Sequence, residues 1–236
     1  MNLIVLDTET SDLPDKGGQL LELAWIVMEY NNGTYVPKRA EEMYIQYNGP
    51  INPIAWASHH IRADQLTADH GAVTREQAVL TLLMDIRPDS YLIAHNADFD
   101  SKFLPELRTP WICTYRVSKH IWPEAPGHSN QVLRYWLGVE PDLSIASQAR
   151  HRQPHEALYD AATTVGILTK MLTRHSPQEL YKLTSTPNRL RTINFGKHKG
   201  TNFSDVPLDY LTWLRQQSNL DPDVKYTIDC VLKGVA

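Results

Sequence analysis

Met1-Asn-Leu-Ile-Val-Leu-Asp7-Thr-Glu9-Thr10 is the stretch on which the fold turns. Leu3, Ile4, Val5 and Leu6 form a short apolar run rich in β-branched residues, the pattern of a buried strand. Asp7 and Glu9 follow at its end, two positions apart. In extended chain, residues i and i+2 share a face, so both carboxylates stand side by side at the mouth of a core strand. Like charges held that close, beside low-dielectric material, resist ionising together. A hard, oxygen-seeking cation such as Mg²⁺ relieves them. The stretch alone is equally consistent with a solvated strand end carrying two unrelated acids.

With 236 residues the chain can bury a substantial core, as one large domain or two smaller ones. No apolar run is long enough to span a bilayer, so no membrane partner is expected. The N-terminus has no basic segment, long apolar core or small-residue cleavage site. Cys113 and Cys230 form neither a disulfide framework nor a zinc spacing. A reducing, cytoplasmic location is therefore the expectation. The formal net charge of −4 disfavours a passive nucleic-acid binder held by bulk electrostatics. Charge is unevenly spread. Residues 186–236 carry seven Lys/Arg against five Asp, a local +2 that leaves −6 elsewhere. An acidic catalytic part with metal ions to handle phosphates fits that balance.

Downstream, a polar turn over 11–18 leads into a strand predicted over 20–30, with Leu21, Leu23, Trp25 and Val27 on one face. Asn31-Asn32-Gly33 reads as a hairpin turn, and residues 42–47 as a third strand. Short turns between them predict an antiparallel meander. A Pro-bounded stretch follows, ending in Ser58-His59-His60-Ile61. Helices are expected over 75–86, capped by Thr74, and over 98–104, 114–121 and 129–137. Short buried strands are expected at 91–94 and 111–113. In the 129–137 helix, Val132, Leu133, Trp136 and Leu137 make an apolar stripe. The longest helix is predicted over 156–174. One of its rows is Asp160, Thr164, Ile167 and Met171, and an acid there must be stabilised by a cation or shift its pKa. Ser176-Pro177-Gln178-Glu179 is a capping box that starts a new helix, and 184–188 reads as a linker. In the tail, Ile193-Asn194-Phe195 suggests a strand, 196–200 a basic turn, and 208–214 and 224–232 helices. Phe195, Phe203, Tyr210 and Trp213 are candidates for a small core of its own. The domains expected are 1–175, then a helix and linker at 176–188, then a basic α+β module at 189–236.

Four acids stand out: Asp7, Glu9, Asp100 and Asp160. Asp100 lies just beyond the 91–94 strand, where ligand sites of open α/β sheets gather. Each acid also has an ordinary reading, Asp98 and Asp100 as first-turn helix acids and Asp160 as a solvent-exposed position. His155 stands five residues before Asp160. A helical spacing of five separates the two faces by 140°, so a histidine on the preceding loop is better placed to reach the carboxylates. Imidazole titrates near neutrality and suits a general base. Histidine is not rare here, as His151 and His59-His60 show.

Leu6-Asp7-Thr8-Glu9-Thr10, His95-Asn96-Ala97-Asp98-Phe99-Asp100 and His155-Glu-Ala-Leu-Tyr-Asp160 occur in that order. Together they resemble the three motifs of the DnaQ-like 3′→5′ exonucleases, in the subgroup whose histidine precedes the last acid by five. The resemblance reaches further. Trp111-Ile-Cys113-Thr114, the stretch to His59-His60-Ile61, and the tail's Phe195-Gly196-Lys197-x-Lys199-Gly200 and Tyr210-Leu-x-Trp213-Leu214 are similar to the exodeoxyribonuclease X branch. His60-Ile61-Arg62 departs from that branch around the isoleucine.

The resemblance implies a ribonuclease H-like α/β fold: a mixed five-stranded sheet, the meander plus parallel strands, with flanking helices. It implies a metal-dependent exonuclease that releases 5′-mononucleotides from DNA 3′ ends, serving DNA repair, with two divalent cations, Mg²⁺ or Mn²⁺. Asp7 would bridge both ions, Glu9 and Asp160 would hold the one carrying water, Asp100 would act at one remove, and His155 would take the proton. Thr8, Thr10, Leu13, His59, Ile61, His95 and Asn96 would contact substrate, with core packing an equal reading for Ile61. Leu13 is the one large apolar residue of its loop and could wedge against a base pair. Arg189, Arg191, Lys197 and Lys199 would guide DNA or dock a repair-protein partner. The alternatives are an RNA-directed relative, a polymerase proofreading subunit, and a nonenzymatic scaffold.

Overall fold

The computed structural model describes residues 1–144 and 153–234; His151 lies outside them. The first apolar run becomes β1 (Asn2–Thr10), followed by β2 (Leu20–Asn31) and β3 (Thr34–Tyr44). β4 (Tyr91–Ala94) and β5 (Trp111–Cys113) complete a sheet in the order β3-β2-β1-β4-β5. β1 pairs antiparallel with β2 and parallel with β4; β2–β3 is antiparallel and β4–β5 parallel. The meander plus parallel strands is thus present.

β3 begins at Thr34 rather than Glu42. Asn32 and Gly33 both have positive φ, 49° and 90°, the requirement of a two-residue turn whose twist matches the strands. Pairing therefore resumes at once, Asn31 opposite Thr34. Pro37 is accommodated because β3 is an edge strand, with a register shift opposite Val27/Met28.

Strand alternation divides the core. Leu3, Val5, Ala24, Ile26 and Met28 face one side, where they meet Leu158, Ala161, Ala162, Leu168 and Met171 of α6 (Ala157–Leu172). Ile4, Leu6, Leu23, Trp25 and Val27 face the other, against α2 (Arg75–Leu83) and α3 (Ala97–Phe103). Leu21 departs from its expected group and packs with Tyr44, Ile61, Leu66 and Ala72 beside α1 (Pro53–His59). α4 (Thr114–Ile121) and α5 (Asn130–Leu137) flank α6. In α5 the expected stripe splits: Leu133 is buried, while Val132 and Trp136 stay partly exposed.

α7 (Pro177–Ser185) starts at the predicted capping box, which is formed. It runs into the expected linker, and the rest of that segment is bonded rather than slack. Arg116 donates from Nε to the Thr184 carbonyl at 2.8 Å, and its Nη2 reaches Asp223 at 3.0 Å. Beyond it, Ile193, Phe203, Leu211, Leu214, Val224 and Ile228 form a separate apolar cluster under α8 (Leu208–Arg215) and α9 (Pro222–Leu232). Where a strand was expected at Ile193, there is one bridge, Thr192 with Asn202. The chain closes on itself too soon for a longer ladder, the Gly200 N–H donating to the Ile193 carbonyl at 2.7 Å. Trp213 is not a core residue: it is 54% exposed, its ring tilted on Tyr210 at 5.4 Å. Among the described residues no helix is long and apolar enough to cross a membrane.

Candidate active site

The alternation that splits the core also distributes the acids. Asp7 and Glu9 continue the Val5 face of β1, toward α6; Thr8 continues the Ile4–Leu6 face, toward α3. One carboxylate oxygen from each of Asp7, Glu9 and Asp160 lies within 4.8 Å of the others. Asp160 reaches them from the first turn of α6 and is buried, as are Thr164, Ile167 and Met171 of its row. Asp100, on α3, is 3% exposed and accepts a hydrogen bond from the Thr8 hydroxyl at 2.8 Å. Thr8 therefore ties the second motif to the first.

Burial is the largest influence on all four acids, raising each. The charges of Asp100, Asp160, Glu9 and Glu22 push Asp7 up further. Glu9 is raised next by Glu22, then by Asp160 and Asp100. Asp100 rises to about 7, with the Thr8 hydroxyl opposing. Asp160 is restrained chiefly by the His155 N–H, which donates to its Oδ2 at 3.1 Å, and by Gln131, which donates to Oδ1 at 3.0 Å. His155 precedes α6 with φ 68°, exposed to solvent. Its backbone is thus fixed to a cluster carboxylate while its imidazole is free to meet substrate or water.

The other expected contact residues divide. Thr8, Thr10, Leu13 and His59 line one cavity of about 290 Å³ with Glu9, Ile54 and Phe99. Leu13 is 48% exposed at its rim. The Thr10 hydroxyl donates to the Asp12 carbonyl. His59 is buried, its Nδ1 accepting the Ile61 N–H at 3.0 Å, and burial lowers its pKa to about 4. It is therefore neutral at physiological pH, with the proton on Nε2. Ile61 packs in the cluster beside Leu21 and Tyr44 and does not line that cavity. His95 bonds through Nε2 to the His128 carbonyl and through Nδ1 to the Thr114 hydroxyl, at 2.8 and 2.9 Å. A carbonyl partner makes Nε2 the donor, and burial lowers this histidine too, to about 4. Asn96 is exposed at φ 79°, immediately before α3.

Two participants were missed in sequence. Glu22 sits opposite Glu9 in the β1–β2 register. Its Oε2 accepts the Ala157 N–H at 3.2 Å, holding the start of α6, the helix that carries Asp160. Burial, then Glu42, lifts its pKa to about 8. Its signal was available, since it is the sole charge in the apolar run 20–28. Gln131, which holds Asp160, carries no such signal.

These donors are all carboxylate oxygens, mutually repelling and converging, with Asp160 buried and Asp7 and Glu9 half-buried, which is the chemistry a hard divalent cation requires. The residues present fit such an ion.

An exonuclease family profile matches residues 4–168. Exodeoxyribonuclease 10 of Escherichia coli strain K12 is 28% identical over 242 aligned positions, covering 98% of this chain and 99% of the relative. A PolC-type DNA polymerase III of Streptococcus pyogenes serotype M5 is 28% identical over 174, which is 70% of this chain but 11% of that protein. Among solved structures, exonuclease X in complex with 5′ overhanging duplex DNA superposes with a TM-score of 0.61 at 26% identity, covering 78% of this chain and 99% of that one. The nuclease domain of 3′hExo bound to rAMP, a DEDDh family member, shares the fold at TM-score 0.55 and 17% identity, covering 73% and 92%.

Proposed function

The chain belongs to this exonuclease family, of the RNase T/DnaQ-like kind and homologous to exonuclease X, and from that premise we propose that it is a 3′→5′ exodeoxyribonuclease. It would release 5′-mononucleotides from DNA 3′ ends and serve DNA repair in the cytoplasm. The observation that carries the reading is the convergence of Asp7, Glu9 and Asp160 within 4.8 Å. Those three would hold divalent cations, Mg²⁺ or Mn²⁺, with Asp100 beside them. Bound there, the ions would neutralise charge on the phosphodiester and make water more acidic.

The protein's own groups do the rest. His155 accepts the proton of the attacking water as general base. The water's hydroxyl joins phosphorus, the bond to the preceding nucleotide's 3′-oxygen breaks, and that oxygen gains a proton. Gln131 and the His155 N–H orient Asp160; Thr8 orients Asp100. The cavity beside Glu9 receives the terminal nucleoside, its apolar wall supplied by Ile54, Phe99 and Leu13. DNA is favoured over RNA because the homology to exodeoxyribonuclease 10 runs the length of both chains.

One gel with end-labelled single-stranded DNA, duplex DNA and RNA, in Mg²⁺, tests direction and sugar together. The expected result is stepwise loss from the DNA 3′ end, abolished by Asp7→Ala and by His155→Ala. Variants digesting as fast as the parent would refute the assignment. Leu13→Ala should slow duplex more than single strands; equal slowing would remove the wedge.

A further inference from the structure

Outside the carboxylate cluster, an open cleft of about 990 Å³ runs between the segment joining α4 to α5 and the C-terminal segment. Lys119, His120 and His128 line one wall, Arg189 and Arg191 the other, with Glu124 as the acid among them. We infer that this cleft is a second phosphate-binding site, which holds the backbone of the nucleic-acid strand whose 3′ end lies in the carboxylate cluster. The inference rests on the nuclease reading above.

Three observations support it. First, the cations are available. Among the described residues, Lys119, Arg189 and Arg191 form no ion pair, whereas neighbouring Arg116 is taken up by Asp223. Arg189 and Arg191 are exposed, and Lys119 is held over the Tyr115 ring at 4.0 Å. Gathering unpaired cations in a chain of net charge −4 calls for an anionic partner. Second, the walls are braced against each other. His120 Nε2 bonds to the Thr186 carbonyl at 3.1 Å, and Arg116 crosses to Asp223. The two arginines are thereby presented at a set distance from Lys119. Third, the cleft is tied to the reaction site through one short segment. His128 lines the cleft and its carbonyl bonds to His95, which opens the motif carrying Asp100. Three residues on, Gln131 donates to Asp160. Three residues span at most ~11 Å of chain, so cleft and cluster are close enough to engage one strand a few nucleotides apart. A polymer with a phosphate at every unit is the anion that satisfies both ends.

The test compares Arg189→Glu/Arg191→Glu with Lys225→Glu/Lys233→Glu, an equal charge change on exposed lysines of the same C-terminal segment that do not line the cleft. Binding of labelled single-stranded DNA from 3 to 20 nucleotides is read by anisotropy across a salt series with the full chain. Hydrolysis of a two-nucleotide DNA in Mg²⁺ is read separately. For the arginine variant, affinity for the longer strands should fall about tenfold and the salt slope should drop by about 1.4, two phosphates' worth for single strands. Its dinucleotide hydrolysis should stay within twofold of the parent, which also reports its folding. The lysine variant should follow the parent throughout. Equal loss in both variants, or loss as large for 3 nucleotides as for 20, would overturn the cleft. An unchanged salt slope would overturn it as well, and assign its charge to an acidic protein instead. If the parent hydrolyses no dinucleotide, the nuclease reading fails on that arm, and the salt slope still judges the cleft.

Discussion

Asp223 and Asp7 are both acids withdrawn from bulk water, and the molecule treats them in opposite ways. Asp223 receives Arg116 at 3.0 Å and the Asn188 N–H at 2.9 Å, and Asn188 Nδ2 approaches its other oxygen at 3.4 Å. Its charge is balanced within the protein. Asp7 meets Glu9 and Asp160, with Asp100 and Glu22 nearby, and all four push it upward. Among the described residues no Lys or Arg forms an ion pair with Asp7, Glu9, Asp100 or Asp160. Burying an acid with a cation of its own joins two parts of a fold. Burying several together stores a demand for positive charge that only a ligand can meet. The first arrangement is structural, the second is where chemistry is to be sought.

The sharpest way to break that contrast is to remove one acid from each centre. Asp7→Ala should cost more than about a hundredfold in the rate of 3′-end digestion, since even partners of metal ligands are worth 10–100-fold. Asp223→Ala, assayed below its melting temperature, should stay within about threefold of the parent. Comparable losses in the two would erase the distinction.

Stability should rank them the other way. Arg116→Ala leaves Asp223 buried beside Asn188 with its charge unbalanced. Fully buried pairs lose 3–5 kcal/mol when broken, and partial exposure of Arg116 lowers that to about 2–4 kcal/mol. Asp7→Asn removes one of several repelling charges and should raise stability in metal-free buffer. Urea titration of both variants decides. A destabilised Asp7→Asn protein would mean that the acid is balanced by something other than a ligand.

A pH series sharpens the contrast further. Glu22 and Asp100 have folded pKa values of about 8 and about 7, above their unfolded values. Their contribution is complete below the unfolded carboxylate range and is lost as pH climbs to the folded values. His59 and His95, depressed to about 4, act in the opposite direction, but chiefly below their unfolded pKa near 6.5. From pH 6.5 to 8 the acids should dominate: metal-free stability falls, by about 2 kcal/mol from Glu22 at one proton per molecule, against a rise of about 0.4 kcal/mol from each histidine as its unfolded form finishes losing its proton. Mn²⁺ should flatten the fall, because the ion favours the charged forms. Melting curves in chelator and in Mn²⁺, with Glu22→Gln alongside, measure it. A metal-free curve that is level or rises over that window would contradict the cluster's electrostatics.

What was readable in the sequence follows the same divide. The unbroken apolar run Leu3–Leu6, the helical row through Asp160 and the capping box at Ser176 are local patterns, and each structure appears where its pattern stands. The four acids were legible because each stands at a structural junction or in an apolar row. Local rules ran out where a residue's role depends on what folds onto it. Trp213 has the composition of a core residue, yet no element covers it. Ile61 and His59 are two positions apart, but one packs into a core cluster and the other lines the cavity beside Glu9. Residues 184–188 look like a linker until Arg116, distant in sequence, ties them down. Gln131 is an unremarkable helix residue until α6 brings Asp160 to it.

The smallest expected effect probes how the active centre tolerates its own repulsion. The Thr8 hydroxyl is the strongest influence holding Asp100 below the value that burial alone would impose. Thr8→Val keeps the shape and removes the donor, leaving Asp100 more firmly protonated. Protons compete with cations for a carboxylate, so the Mg²⁺ concentration for half-maximal digestion should rise by up to about tenfold. Thr8→Ser restores the hydroxyl and should return it near the parent value. A role in packing alone would lower the melting temperature of Thr8→Ser, which loses the methyl, rather than of Thr8→Val, and would leave the Mg²⁺ requirement of both unchanged. No such change is expected at Asp223, where Asn188→Asp adds a second acid beside a site already served by Arg116 and should unfold the C-terminal segment rather than create a need for Mg²⁺. Rescue of that variant's melting temperature by Mg²⁺ would show that the two centres differ in degree and not in kind.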